Sequence, residues 1–215
     1  KQLLSDGPRP NFWRAPIEND FGNKMENRCA MWKPFGGELE LQSMFVVESD
    51  SIAAVMTEYL HPGTGSNYNV EYYFNDGGEV LVKVKFKASQ DDFPEVPRFG
   101  MILEIPAGYD QLKYFGRGPH ENYIDRNHSS HVGLYSSSVD EQYVPYISNG
   151  ENGNKTEVRW LTLSNSTGQG IMIKGSPTID FSALHFSQDQ LDREVRDGAH
   201  TIDLLKSEKI FLNVD

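Results

Sequence analysis

At 215 residues the chain is long enough to bury a core without disulfide staples, and at about 150 residues per domain it reads as one large domain. Twenty Lys and Arg against 31 Asp and Glu leave a formal charge of −11, a surface that repels phosphate backbones, so no nucleic-acid partner is expected. The longest aliphatic run, Ile52 to Met56, falls far short of the ~20 residues that span a bilayer, and the single cysteine, Cys29, excludes an internal disulfide and a cysteine-based zinc site.

The chain opens Lys1-Gln2-Leu3-Leu4, with neither an initiator methionine nor a signal peptide, as expected of a processed or excised piece. Residues 7–33 follow as a long irregular stretch dense in Trp, Phe, Asn and charged side chains. Strand-like runs then come in close succession at 38–48, 51–60, 67–75 and 79–88. The last is the clearest: Val80, Val82, Val84, Phe86 and Ala88 alternate with Lys83, Lys85 and Lys87, the period of a strand with one buried face. The turn Asn75-Asp76-Gly77-Gly78 tolerates positive φ and joins it to 67–75 as a hairpin.

Further strands are predicted at 98–105, 111–115, 158–164, 170–174, 178–186 and 209–214, with a second irregular stretch at 116–153. One helix is predicted over 188–196, where Ser187 and Gln190 form a capping box, Asp197-Gly198 stops it, and Leu191 and Val195 are its only apolar positions. Many short strands and almost no helix make the class all-β, a sandwich or barrel.

Nucleophile-elbow, phosphate-loop and dinucleotide-binding motifs are absent. Gly116-Arg117-Gly118-Pro119 lacks the third glycine of a nucleotide loop and reads as a tight turn. His128 and His131, near Asp125, invite a metal reading; on a strand that spacing sends the rings to opposite faces, so they read as hydrogen-bonded loop histidines and no metal site is assigned. Glu121, Asp125 and Glu151 are the loop carboxylates that a glycosidase pair would need, yet they read better as arginine partners and turn stabilisers. The sequons at Asn127, Asn154 and Asn165 read as chance matches.

The two irregular stretches carry a resemblance. Arg9-Pro10-Asn11-Phe12-Trp13-Arg14-Ala15-Pro16-Ile17-Glu18-Asn19-Asp20-Phe21-Gly22 resembles the segment that opens the last domain of large bacterial β-galactosidases of glycoside hydrolase family 2. Tyr114-Phe115-Gly116-Arg117-Gly118-Pro119-His120-Glu121-Asn122-Tyr123-Ile124-Asp125, then Tyr143-Val144-Pro145-Tyr146 and Glu151-Asn152-Gly153, agree in order and spacing. Ile17-Glu18 and His120 depart from the family pattern.

The resemblance implies a large antiparallel two-sheet supersandwich, similar to galactose mutarotases, over residues 8–215, with 1–7 a linker and the end cut before the family's last loop and strands. It places the catalytic glutamate pair, Mg²⁺ and Na⁺ in a (β/α)₈ barrel elsewhere in the polypeptide, so this chain holds no catalytic residue and no cofactor. The barrel, a β-galactoside substrate and a homo-oligomeric assembly are the implied partners. A cytoplasmic location is expected, with the periplasm as the alternative. A carbohydrate-binding module and a mutarotase-like epimerase are the competing functions.

Asn19, Asp20, Gly22 and Asn23 are expected at the substrate rim, where the segment from Gly22 through Trp32 forms a mobile flap hinged at Gly22. Trp13, Arg14, Pro16, Arg117, Gly118, Pro119, Glu121, Asn122, Tyr123, Asp125, Tyr146, Glu151, Asn152 and Gly153 are expected to hold the loops, with Arg14 pairing among Glu18 and Asp20 and Arg117 among Glu121 and Asp125.

Overall fold

The structure, a computed structural model, describes residues 2–49, 52–192 and 200–215. It is all-β, with eleven strands in two antiparallel sheets and a few short helices among the described residues. The chain divides into two units, residues 1–30 with 96–215 and residues 31–95.

The larger unit carries seven strands: β1 (Asp6–Asn11), β6 (Gly100–Pro106), β7 (Gln111–Gly118), β8 (His131–Ser138), β9 (Lys155–Ser164), β10 (Gly170–Leu184) and β11 (Lys209–Val214). Their spatial order is β1-β6-β11-β10-β9-β7-β8. Cross-strand partners bring alternate apolar residues onto one face: Ile105 lies opposite Ile210, Leu103 opposite Leu212, Leu212 opposite Ala183, Leu161 opposite Tyr114 and Leu163 opposite Leu112. These residues, with Val158 and Phe181, form the main core. A one-residue slip would turn the whole set to the other face, so the alternation itself fixes the register.

A second cluster gathers Ala15, Leu184, Phe186, Leu191 and Leu204. Leu191 ends the short helix α4 (Gln188–Leu191), which Ser187 and Gln190 cap reciprocally as expected. The predicted helix was longer, but Asp192 is already extended (φ −75°, ψ 109°); Val195, Arg196 and the Asp197-Gly198 stop lie outside the described residues.

The smaller unit carries β2 (Glu40–Glu48), β3 (Ile52–Leu60), β4 (Asn67–Asn75) and β5 (Val80–Lys87) in sequence order. The expected hairpin is there, with Tyr68 opposite Phe86 and Phe74 opposite Val80. Its apolar face is covered only in part. Trp32 and Phe35 of α3 (Trp32–Phe35) pack edge-on against Phe86, whereas Val80 and Val82, on the same face, are 48% and 39% exposed. Local periodicity shows which residues share a face, not how far along the strand a cover reaches.

Four further expectations change. β1 begins at Asp6, so the last two residues of the stretch expected to be a linker lie in the sheet. Gly116 to Gly118 continue β7 and are not a turn: a Cβ on Gly116 would lie 2.5 Å from Val158, so the glycine admits the neighbouring strand. The runs at 170–174 and 178–186 are one strand, β10, interrupted by an irregularity between Lys174 and Ile179. Residues 7–33 contain α1 (Glu18–Asn23) and α2 (Met25–Arg28), and Trp32 is core at 1% exposure, so a flap cannot extend as far as Trp32.

Candidate functional site

Within the larger unit, the segments singled out by sequence converge on three short loops. The first is residues 12–23. Asp20 sits in the first turn of α1, where a carboxylate suits the exposed N–H groups, and accepts from the Ile17 N–H at 2.8 Å. The same carboxylate takes both terminal nitrogens of Arg14, at 2.5 and 2.8 Å. This is one of the pairings read from sequence. Burial opposes the charge on Arg14, but the hydrogen bonds and charge of Asp20 hold its pKa above the usual arginine value. Trp13 is buried, its indole N–H directed at Asp192 at 3.4 Å, and Pro16, three residues on, is buried as well.

Asn19 and Asn23 are exposed, and Asn23 accepts from Arg28 at 3.2 Å. Gly22 lies inside α1 with ordinary helical backbone and open space where a Cβ would project; the left-handed residue here is Lys24, at φ 62°. Gly22→Ala should therefore stabilise the protein by about 0.5–1 kcal/mol, because an exposed helical glycine costs backbone entropy and nothing crowds the added methyl. A thermal melt checks this: a lowered midpoint would show that Gly22 needs freedom that the helix does not reveal.

The second loop, 119–130, is built around Asn122 and Glu121. Asn122 is fully buried. Its Nδ2 donates to the carbonyls of Arg117 and His120, at 3.2 and 3.0 Å, and its Oδ1 accepts from the N–H and hydroxyl of Thr156, at 3.0 and 2.6 Å. Glu121 accepts from Arg126 at 2.7 Å, from the Gly153 N–H at 2.7 Å and from the Tyr146 hydroxyl. The Arg126 guanidinium also covers the Tyr123 ring at 4.6 Å, and burial drives the Tyr123 hydroxyl well above its ordinary pKa. Asp125 is exposed.

Arg117 does not pair with Glu121 or Asp125. Its Nε donates to Glu157 at 2.6 Å and its Nη1 to the carbonyls of Ser130 and Asn127, at 2.9 and 3.4 Å. The reason is strand direction: in β7, Arg117 points to the opposite face from Gly116 and Gly118, toward the side chain of Glu157 on the neighbouring β9.

The third loop, 143–154, joins the other two. The Glu151 N–H donates to the Ala15 carbonyl at 3.2 Å, and a Cβ on Gly150 would meet the Pro16 carbonyl at 2.9 Å. Asn152 accepts from the Val144 N–H and donates to the Gly150 carbonyl. Gly153 adopts φ 78°, and a side chain there would press on the Gln142 carbonyl at 2.8 Å. The buried Glu151 binds Arg98 at 2.8 Å, and Arg98 also donates to Asp215 at 2.8 Å. Burial pushes the Asp215 carboxyl up to about 6, against the pull of Arg98.

Arg98, Asp215, Thr156 and Lys155 were missed as members of this cluster. Lys155 is 2% exposed and its ammonium donates to the Gly153 carbonyl at 3.0 Å. Burial lowers its pKa to about 8, partly offset by Glu121. The only sequence signal was the sequon Asn154-Lys155-Thr156, read as chance; Asn154 is in fact buried and bonded to the Asn122 carbonyl at 3.0 Å.

The lysine has a pH signature. Its folded pKa of about 8 lies below the unfolded value near 10.4, so between these limits the native state binds fewer protons and stability rises with pH. Lys155→Met should thus stabilise the protein by about 2 kcal/mol at pH 7, with the advantage fading from pH 8 to 10. Denaturant unfolding of both proteins at pH 7 and 10 reads the difference, and a gap that does not narrow would contradict it.

The arrangement pins irregular backbone. Asp20, Glu121 and Glu151 are each engaged by an arginine, and among the described residues no three His, Cys, Asp or Glu side chains come together to hold a metal ion.

Fold and site together define an all-β unit whose loop motifs are locked to one another by buried amide and arginine contacts. The family model described as "Beta galactosidase small chain" matches residues 1–215, and the chain belongs to that family. It is 38% identical over 191 residues to a β-galactosidase of Priestia megaterium, covering 89% of this chain and 18% of that protein. A β-galactosidase of Vibrio cholerae is 30% identical, over 99% of this chain and 21% of its own length. One of Streptococcus thermophilus is 27% identical, over 99% and 20%. The chain thus spans about a fifth of the length of these relatives. No helix among the described residues is long and apolar enough to cross a membrane.

Proposed function

We propose that this chain is the non-catalytic last domain of a family 2 β-galactosidase, of supersandwich, mutarotase-like type, which packs on the catalytic barrel and completes the rim of its cleft. The observation that carries this reading is the commitment of Asp20, Glu121 and Glu151 to arginines and backbone N–H groups. Glycoside hydrolysis needs one carboxyl group to act as acid and another as nucleophile or base, and a carboxylate held by a guanidinium is poorly placed for either role. The full enzyme hydrolyses terminal β-galactosides such as lactose, holds Mg²⁺ and Na⁺ in its barrel, assembles as a homo-oligomer and works in the cytoplasm. Asn19, Asp20, Gly22 and Asn23 belong to the rim.

A chromogenic β-galactoside assay tests this. The 215-residue chain alone should show no turnover, while the full-length polypeptide should hydrolyse the substrate. Turnover by the chain alone that disappears with Glu121→Gln or Glu151→Gln would overturn the proposal.

A further inference from the structure

Two sheets leave four edges, and an edge strand offers its free N–H and C=O groups to any chain that can pair with them. Three of the four carry devices that discourage pairing. β1 has Pro8 and Pro10 and a register shift between Asp6 and Arg9; β2 has Glu40 and Glu48 and a shift after Leu41; β5 has Lys83, Lys85 and Lys87. β8 has none of these. It holds no Asp, Glu, Lys, Arg or Pro, and it runs beside β7 from His131 to Ser138 without a shift.

The outer side of β8 can be identified. The Ser138 N–H donates to Glu141 Oε2 at 2.7 Å, outside the ladder, and the carbonyl of Gln111, opposite it on β7, accepts from Ser164 of β9. Direction alternates along an antiparallel strand, so the N–H and C=O groups of Ser136, Leu134 and Val132 also point away from β7. None of these groups has a hydrogen-bond partner among the described residues. The side chains of the same residues lie with Phe115, opposite Leu134, on the face turned from the main core, where Leu134 and Val132 are 67% and 41% exposed.

This strand suits pairing with itself. Set antiparallel to a second β8 about a two-fold axis at Leu134, it places Leu134 opposite the same residue of the copy and Val132 opposite Ser136. That makes about six N–H···O=C bonds and one apolar row of Phe115, Leu134 and their copies. The nearest charged residues of the face, Lys113 and Arg117, sit one strand back. Their backbones lie about 14 Å from those of the copy's charged residues, beyond the screening length of physiological salt. Such a contact closes on itself, whereas pairing with any of the other edges would be head-to-tail and would meet their prolines or charges.

We propose that β8 is an interface between copies of this chain, joined edge to edge into one continuous antiparallel sheet with Leu134 on the axis. This deepens the homo-oligomer of the proposed function, on which it rests, by naming the surface and its register.

Across that axis the two Leu134 Cα atoms would lie about 5.5 Å apart, within disulfide reach, and the two Ser136 Cα atoms about 14 Å apart. Under mild oxidation of the full-length polypeptide, Leu134→Cys should form a disulfide-linked dimer about tenfold faster than Ile124→Cys, at a loop residue 87% exposed. Ser136→Cys alone should not link, and Val132→Cys combined with Ser136→Cys should. The wild type gives a second reading without any variant: the amides of Val132, Leu134 and Ser136 should exchange about tenfold more slowly than that of Ile124. The interface is overturned if Leu134→Cys links no faster than Ile124→Cys, if Ser136→Cys links as fast as Leu134→Cys, or if the three amides exchange as freely as that of Ile124. Light scattering of the wild type separates the two readings. An oligomer without these signs sinks the interface alone, whereas a monomer sinks the homo-oligomer together with it.

Discussion

Arg98→Met should lower the stability of the protein by about 3–5 kcal/mol, the usual consequence of leaving a buried charge without its partner. The side chains of Arg98 and Glu151 are 5% and 4% exposed, and that of Asp215 is 19% exposed. Methionine fills much of the arginine's volume, so the loss reads the missing charge and hydrogen bonds rather than a cavity. At about 2–4 °C per kcal/mol for a chain of this size, the thermal midpoint should fall by roughly 10 °C.

The effect should also depend on pH with a defined sign. Burial already holds Asp215 near 6 in the presence of Arg98. Without the guanidinium its folded pKa rises further above the unfolded value, so the native state binds more protons and its stability falls as pH rises through that window. The gap between wild type and variant should accordingly be smaller at pH 5 than at pH 8. Adding Glu151→Gln to Arg98→Met should recover part of the loss, since the pair is coupled. A midpoint within 2 °C of wild type at pH 8 would show that water or rearrangement replaces the arginine.

The ease of reading this fold from its sequence follows the alternation of apolar residues and not the depth of their burial, since β5 is largely exposed. β5 and β11 were legible because each places alternating apolar residues on a face. β1 and β8 were not, and both lie at edges of the seven-stranded sheet. An edge tolerates the prolines of β1 and the Ser136-Ser137-Ser138 run of β8, because one side of the strand has no ladder to complete. β10 looked like two strands because Gly175-Ser176-Pro177 is turn chemistry, which here serves an irregularity within one strand.

The site divides in the same manner. Arg14 and Asp20 are six residues apart, and local sequence suffices to pair them. Arg98 and Glu151 are 53 apart, and Arg117 and Glu157 are 40 apart, so only the register of the sheet and the course of the loops could match them. Nearby Glu121 and Asp125 were the natural guess for Arg117, but a strand residue reaches across to its neighbouring strand more readily than along its own chain.

Asn122→Leu should be the other severely destabilising change, costing about 4 kcal/mol, since each orphaned buried partner is worth about 1–3 kcal/mol. The cause lies in β9. Between Lys155, opposite Phe181, and Val158, opposite Ile179, the β9–β10 register slips, and Glu157 takes a left-handed φ of 51°. Side chains supply the partners that two amides in this irregular stretch need: the Thr156 N–H donates to Asn122 Oδ1, and the Glu157 N–H donates to Asp180 Oδ1. Leucine shares asparagine's branched skeleton, though it is bulkier, and can neither accept from Thr156 nor donate to the carbonyls of Arg117 and His120. The second loop would lose its anchor to β9 on both sides of one residue. Asn122→Asp separates the two halves of the role: it keeps an acceptor for Thr156 but sets a carboxylate against two carbonyl oxygens, so it should also be destabilising at pH 7 and should recover on acidification, when one oxygen can donate. Thr156→Val, which removes only the hydroxyl, should cost about 1 kcal/mol. Urea unfolding of the three variants would order them Asn122→Leu, Asn122→Asp, Thr156→Val from most to least damaging at pH 7. If Asn122→Leu costs no more than Thr156→Val, the backbone of β9 finds other partners and Asn122 is not what holds the loop.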